Sequence, residues 1–428
     1  MSIEIGKLEN GLTVVTDPMP HLESAALGVW VGCGARHEAP REAGLSHMLE
    51  HMAFKGTETR TTKDIAIEIE AVGGDLNAYT SREQTAFHAR VLKDNVDLAL
   101  DILSDILINP TFEKDELERE RDVIIQEIGQ TRDTPDDLIF DYLQEACFPN
   151  QPMGWPILGT EETVSKFARN DLKSYMGTNY RAGGMVLIAS GAVEHDRFMD
   201  SARALYSPLQ QGGAPDFEPA RFRGGDIRTN DRGLEQAHLS FAFPGVSTTD
   251  ADVVTAQVFA TALGGGMSSR LFQEAREKRG MCYSIYAFSQ SHRDSGTIGI
   301  YAGTSEEKAG EVAPIIAAEI EAMAEAASEE EVARARAQLK ATLLMALESP
   351  VARCERIAAH LFNFGRVLSL EEMTARLAAV DAAAIRRFAT KLCERGEPAI
   401  AAIGPIGRLE SHDRFTRRFG REPALAGA

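Results

Sequence analysis

The spacing of apolar and polar residues along the first half of the chain predicts strands that alternate with helices. Strands are expected where β-branched and other apolar residues cluster or alternate with polar ones, at residues 11–16, 25–32 and 75–91. Apolar residues recur at helical spacing between them, which predicts helices at 42–55, 61–71, 94–108 and 113–131. Such a pattern is typical of a layered arrangement of helices on a sheet.

The second half of the chain repeats this order of elements. A strand at 237–243 precedes a helix at 253–263, two extended segments within 282–304 and then long helices. Each half also closes on an apolar strand that ends in glycine, at 185–191 and 398–404. A repeat of about 210 residues predicts an internal duplication. We therefore expect an α+β fold of two similar domains, each an antiparallel or mixed sheet packed with helices.

The length and local composition of the chain predict where the domains end. At 428 residues the chain exceeds the size at which one hydrophobic core stops growing. Apolar periodicity stops around 208–230, where glycine, proline and charged residues dominate. We predict an N-terminal domain at 1–210, a linker at 211–230 and a C-terminal domain at 231–428.

Charge and cysteine content restrict the partners and the compartment. A net charge of −19 argues against nucleic acid or an anionic membrane as a partner and favours a cationic ligand. Five scattered cysteines form no CxxC pair, and the N-terminal residues lack the basic and apolar regions of a signal peptide. We expect a cytoplasmic protein of bacterial type.

Three residues within GLSHMLEHMAF carry the first candidate chemistry. His47 and His51 lie four residues apart in a helical pattern, so both imidazoles project from one face and suit zinc. Glu50 lies beside them without needing to be a ligand. A carboxylate at this place can take a proton from a zinc-bound water.

A third ligand is expected from the helix at 113–131. Glu120 and Glu127 lie seven residues apart, two turns along one face, so one can bind the metal and the other can support it. The alternative is that both are solvated surface carboxylates. Their position after the HxxEH pattern favours a metal site.

The HxxEH pattern, followed by two glutamates seven residues apart, resembles that of the inverzincin zinc peptidases of the pitrilysin family. The resemblance implies one zinc ion per chain, bound by His47, His51 and Glu127. It also implies that Glu50 is the catalytic base and that Glu120 orients the site from behind the ligands. Members of this length have two similar domains and pair into a clamshell around a chamber.

The resemblance continues into the second half, in LGGGMSSRLFQEAREKRGMCYSIYAF. There it implies that Arg276 and Tyr283 contact the substrate and its reacting carbonyl. A guanidinium can bind a peptide carbonyl, and a phenol can donate to a developing oxyanion. The glycines at 264–266 lack the GKS or GKT of a phosphate-binding loop and predict a turn before a helix.

The segment GGDLNAYTSREQTAF resembles the edge strand that binds the substrate backbone in this family. The positions in question are Asn77 and Ala78. A peptide added there as another strand would gain main-chain hydrogen bonds with little demand on its sequence.

The sequence therefore predicts a zinc-dependent endopeptidase that hydrolyses unstructured peptides, and the net charge favours basic ones. Removal of presequences and degradation of short peptides both remain open. The alternative class is a non-catalytic scaffold, a core subunit of a larger complex. A homodimer is expected, and a heterodimer is the other possibility. Arg276 and Tyr283 can serve the zinc of their own chain or that of a partner.

Overall fold

The computed structural model describes residues 3–394 and 397–419, so the end of the second predicted domain, 420–428, lies outside the described residues. The strands are β1 Glu4–Lys7, β2 Thr13–Pro18, β3 Ser24–Val31, β4 Asp75–Thr80, β5 Thr85–Leu92, β6 Met185–Gly191, β7 Gly225–Asn230, β8 Ala237–Pro244, β9 Cys282–Ser291, β10 Gly296–Thr304 and β11 Ala399–Gly404. The helices are α1 Leu45–Ala53, α2 Thr62–Ala71, α3 Val96–Ile108, α4 Lys114–Arg132, α5 Pro135–Cys147, α6 Glu161–Val164, α7 Arg169–Asn179, α8 His195–Tyr206, α9 Val253–Gly264, α10 Ala309–Ala326, α11 Glu329–Ala346, α12 Pro350–Phe364, α13 Leu370–Ala378, α14 Ala382–Glu394 and α15 His412–Arg417.

The chain folds into two compact units, each built on one sheet. In the first unit the strand order is β1-β2-β6-β3-β5-β4. β2 pairs in parallel with β6, and the other pairs are antiparallel. β6 is buried along its whole length, as its uninterrupted apolar sequence predicts.

The second unit repeats this topology. Its strand order is β7-β11-β8-β10-β9, with β7 parallel to β11 and the remaining pairs antiparallel. Strands β7, β11, β8, β10 and β9 thus correspond in order and direction to β2, β6, β3, β5 and β4. The predicted α+β fold of two similar domains with mixed sheets is confirmed.

The units are not continuous in sequence, in contrast to the predicted division at 1–210 and 231–428. The first unit comprises the chain up to Gln130, Trp155–Glu218 and Leu344–Val367, and the second comprises the rest. Helix α12, from the second half, covers one face of the first sheet, where Ile357 packs with Trp30 and Ile188. Helix α5, from the first half, covers one face of the second sheet. The sequence pattern does not reveal this exchange because both helices have the same amphipathic spacing as their neighbours.

Two predicted boundaries differ from the observed ones. The predicted linker at 211–230 contains β7, which supplies the parallel partner of β11. The helix expected at 42–55 is shorter, because Pro40–Glu42 forms a separate 3₁₀ turn. Gly44 then has a φ of 94°, a left-handed conformation that separates this turn from α1. Helix α2 begins directly after Thr61, whose hydroxyl caps it.

Across residues 3–394 and 397–419, no helix combines the length and the apolar character that spanning a bilayer requires.

Candidate metal centre

Helix α1 presents the HxxEH residues on one side because its other side is buried. Leu45, Met48, Leu49 and Met52 recur at helical spacing and contribute to the core of the first unit. The intervening positions therefore face away from the core and carry the two histidines and Glu50.

The start of α1 is fixed by a carboxylate that the sequence interpretation overlooked. Glu38 is buried, and its two oxygens accept hydrogen bonds from the backbone N–H groups of Gly44 (2.8 Å) and Ser46 (2.6 Å). These N–H groups lie at the helix start, where they have no partner within the helix. Glu38 thereby caps the helix that carries the histidines.

Helix α4 supplies the third candidate ligand. Its apolar residues Ile124 and Ile128 are buried, and Glu127 lies beside the two histidines. Ligand atoms of His47, His51 and Glu127 all lie within 4.8 Å of one another. Glu127 Oε2 is 3.8 Å from His47 Nε2 and 3.7 Å from His51 Nε2.

These distances fit a common cation better than direct hydrogen bonds. A tetrahedral zinc ion with bonds of about 2.0–2.1 Å sets its ligand atoms about 3.4 Å apart. Glu127 Oε2 is buried and has no hydrogen-bond partner among the described residues. A buried carboxylate oxygen without a partner is costly unless an ion binds it. The donor set of two imidazoles and one carboxylate is that of a catalytic zinc site with one open position.

Glu120 contacts the side of the His51 ring that is turned away from Glu127. Its Oε2 lies 2.9 Å from His51 Nδ1, and its Oε1 lies 2.7 Å from Lys55 Nζ. With Nδ1 engaged, His51 directs Nε2 toward Glu127, which is the usual arrangement of a metal-binding histidine. The sequence interpretation did not include Lys55, although it lies one turn beyond His51.

Glu50 lies next to this group and contacts the first sheet. Its Oε2 accepts a hydrogen bond of 2.6 Å from Thr80 Oγ1, at the end of β4. Thr80 was not among the predicted site residues. The contact joins residues 30 positions apart, which no local pattern reveals.

The environment shifts the titration of all three α1 side chains. Burial, followed by the charge of His51, lowers the pKa of His47 to about 4. Burial also lowers the pKa of His51, but the hydrogen bond to Glu120 and the charge of Glu127 raise it further, so the net shift is upward. Burial raises the pKa of Glu50, opposed by the hydrogen bond from Thr80. His47 is thus held neutral, the form that binds metal.

Asn77 and Ala78 lie on β4, the edge strand of the first sheet. Asn77 is exposed and Ala78 is half-buried. An edge strand pairs on one side only, so its outer backbone groups can receive another strand.

Arg276 and Tyr283 lie together in the second unit. Arg276 belongs to a π-helix, Phe272–Glu277, and Tyr283 to the edge strand β9. The guanidinium carbon of Arg276 is 5.2 Å from the centre of the Tyr283 ring and 4.6 Å from that of Phe272. Tyr283 is 78% exposed. The aromatic ring at Phe272, four residues before Arg276, is a signal that the sequence interpretation did not use.

Comparison with known proteins identifies relatives along most of the chain. A family model described as insulinase, peptidase family M16, matches residues 13–161, and one described as the peptidase M16 inactive domain matches residues 166–339. The chain is 41% identical over 405 residues to an uncharacterized zinc protease of Rickettsia felis, which covers 94% of this chain and 98% of that protein.

Two further relatives extend the comparison. A probable mitochondrial-processing peptidase subunit beta of Arabidopsis thaliana is 38% identical over 425 residues, covering 96% of this chain and 80% of that protein. A chain in the structure of complex III2 from Candida albicans has a TM-score of 0.87 at 23% identity, covering 97% of this chain and 99% of that chain. The last likeness shows the fold alone. The similarity extends over both halves of the chain.

Proposed function

This chain belongs to the insulinase family of peptidases, family M16, and we propose that it is a zinc-dependent endopeptidase with Glu50 as its catalytic base. One observation carries the proposal. Three ligand atoms of His47, His51 and Glu127 converge within 4.8 Å, and the Glu50 carboxyl lies on the same face of α1. Relatives named zinc proteases support zinc as the metal.

The proposed reaction divides its tasks among separate side chains. Zinc, when bound, lowers the pKa of a coordinated water toward ~7. Glu50 takes the proton of the attacking water, and one of its oxygens is already fixed by Thr80. Glu120 holds the His51 ring in place. Arg276 and Tyr283 are proposed to bind the substrate carbonyl and donate to its developing negative charge.

The substrates proposed are extended peptides. The edge strand β4 can pair with one more strand, and a folded protein cannot supply a free strand. The net charge of −19 favours basic peptides. We expect cleavage of an unstructured basic peptide, slower cleavage of an acidic peptide of equal length, and no cleavage of a stably folded protein. Rapid digestion of the folded protein would contradict this.

The decisive experiment replaces Glu50 by glutamine and measures zinc content and hydrolysis of a mixed peptide pool. Glu50→Gln is expected to keep its zinc and to lose at least about a hundredfold in kcat, because the base is gone and the ligands remain. His47→Ala, His51→Ala and Glu127→Gln are expected to lose zinc. Loss of zinc from Glu50→Gln would refute its role as base.

The native protein provides the control against a non-catalytic scaffold. A native chain that binds zinc and cleaves no peptide would favour that alternative. The cytoplasmic location and the homodimer expected from the sequence stay predictions. Cell fractionation tests the location, and analytical ultracentrifugation tests the oligomeric state.

A further inference from the structure

Thr80 ends the edge strand β4 at the place where the first sheet meets helix α1. Successive residues of a strand face opposite sides of the sheet, so Thr80 and its neighbour Tyr79 face in opposite directions. Thr80 Oγ1 donates to Glu50 Oε2 over 2.6 Å. Helix α1 and strand β4 are thus linked by a hydrogen bond to the proposed base itself.

Glu50 needs such a partner because its backbone alone does not fix its carboxyl. A glutamate has three rotatable side-chain bonds, and the last of them is broadly distributed. A base must present one oxygen within about 3 Å of the proton it takes. Thr80 is suited to restrict this freedom, since its β-branched side chain is stiff at the first rotatable bond. With Oε2 bound to Thr80, Oε1 becomes the oxygen that can accept a proton.

The opposite face of β4 is anchored, which fixes Thr80 in turn. Tyr79 Oη donates to Glu355 Oε2 over 2.5 Å, and Gln84 Nε2 donates to Tyr79 Oη over 2.9 Å. Glu355 lies on α12 and also accepts from Trp30 Nε1 at 3.1 Å. The strand residue next to Thr80 is therefore held by a partly buried network within the first unit.

We propose that Thr80 is a positioning residue that orients the carboxyl of Glu50 toward the metal centre. The inference rests on the proposed function of Glu50 and names a residue outside the metal ligands and the base. Thr80 does not touch the substrate in this role. It acts through Glu50 alone, so its effect is expected on the chemical step and not on zinc or peptide binding.

The test compares Thr80→Val with Thr80→Ser in the zinc-loaded full-length protein. Thr80→Val keeps the shape of threonine but removes the hydroxyl, and kcat is expected to fall on the order of tenfold to a hundredfold. KM and zinc content are expected to change by less than about twofold, since no ligand or substrate contact is lost. Thr80→Ser is expected to restore most of kcat because it keeps the donor. Unchanged kcat in Thr80→Val, or an equal loss in both variants, would overturn the inference.

Thr85 provides a matched control on the neighbouring strand. It lies opposite Thr80 in the β4–β5 register, and its hydroxyl donates to the backbone oxygen of Cys33 instead. Thr85→Val therefore removes a threonine hydroxyl at the same level of the sheet without touching Glu50. It is expected to leave kcat unchanged, although the protein becomes less stable. A loss of kcat equal to that of Thr80→Val would assign the effect to the sheet and not to Glu50.

A second measurement separates this inference from the proposed function. Thermal unfolding midpoints are compared for Thr80→Val in the native chain and in a Glu50→Ala chain. Thr80→Val is expected to lower the midpoint only where Glu50 is present, whether or not the protein cleaves peptides. Equal shifts in both chains would overturn the Thr80–Glu50 coupling. If the native chain cleaves no peptide but still shows the Thr80–Glu50 coupling, only the peptidase proposal is overturned.

Discussion

At the scale of single residues, the orientation of His51 depends on a chain of three side chains. Lys55 contacts one oxygen of Glu120, and the other oxygen of Glu120 contacts His51 Nδ1. Burial opposes ionisation of Glu120, but these two partners outweigh it and lower its pKa. The carboxylate is therefore charged when it fixes the ring.

Replacing Glu120 by glutamine is expected to weaken zinc binding by about 10- to 100-fold, because the His51 ring loses the partner that fixes its orientation. Competition with a fluorescent zinc chelator measures the change. Glu118→Gln is the matched control, since Glu118 lies on the same helix but is largely exposed and pairs with Arg121. If the two variants bound zinc equally well, Glu120 would have no part in the site.

Residue roles could be predicted from the sequence where they depend on local spacing. His47, Glu50 and His51 share one helix, and Glu120 and Glu127 share another, so helical geometry sets each group before the fold is known. Thr80 could not be predicted, because its contact with Glu50 depends on where β4 meets α1. Lys55 carried a usable signal, since it lies four residues after His51, just beyond the end of α1.

At the scale of elements, helix α1 depends on a carboxylate that lies outside it. Burial raises the pKa of Glu38 to about 7, against the lowering by the hydrogen bonds from Ser46 and Gly44. In the unfolded chain the same group titrates near its usual value of 4.5. Between these two values the folded state binds more protons than the unfolded state. This group therefore makes stability fall as pH rises from about 4.5 to about 7.

Glu38→Gln removes this titration and keeps an acceptor for the cap. The unfolding midpoint of the variant is expected to rise relative to the native protein between pH 5 and pH 8, because only the native carboxyl becomes charged in its buried place. Thermal unfolding of both proteins at each pH measures the difference. A relative midpoint that does not change with pH would show that the cap keeps Glu38 charged throughout.

The boundaries of most elements follow from the sequence, and the exceptions have local causes. Helix α2 begins directly after Thr61 and ends shortly before the glycines at 73 and 74. The start of α1 was predicted too early, because Pro40–Glu42 forms a separate 3₁₀ turn before Gly44. β7 was assigned to the linker, since its Gly-Asp-Ile-Arg-Thr-Asn sequence is mostly polar and its pairing with β11 depends on residues far along the chain.

At the scale of the whole molecule, neither half of the chain contains a complete unit. The first sheet needs α12 from the second half, and the second sheet needs α5 from the first half. Without α12, the apolar residues Val15, Trp30 and Ile188 would lose their cover. Amphipathic spacing shows that each helix has a buried side but does not show which sheet it covers.

Fragments 1–218 and 219–428, produced separately, are therefore expected to aggregate or to lack a cooperative unfolding transition. Produced together, they are expected to form a soluble complex, because each supplies the helix that the other lacks. Size-exclusion chromatography and thermal unfolding check both expectations. A fragment 1–218 that unfolds as sharply alone as in the complex would contradict the need for α12.

Whether Arg276 and Tyr283 serve their own chain or a partner chain is tested by complementation. We propose that the protein is a homodimer in which these residues complete the site of the opposite chain, since a two-fold interface repeats each contact twice. Chains carrying Glu50→Gln and Tyr283→Phe, each nearly inactive alone, are then expected to recover about a quarter of native activity when mixed equally. Proven subunit exchange without recovered activity would place the pair in the same chain as its zinc.

The exchange of helices between the two halves also determines when the first sheet can be covered during synthesis. The residues of the first sheet are complete once Gly191 has been made, but the helix that covers its second face ends only at Phe364. At about 5–20 residues per second, a ribosome needs on the order of 10 s or more to make the intervening segment. During that interval the nascent chain contains all strands of the first sheet but lacks α12, so one apolar face of the sheet is uncovered. We therefore expect chaperones that bind at the ribosome exit to contact the nascent chain during this interval.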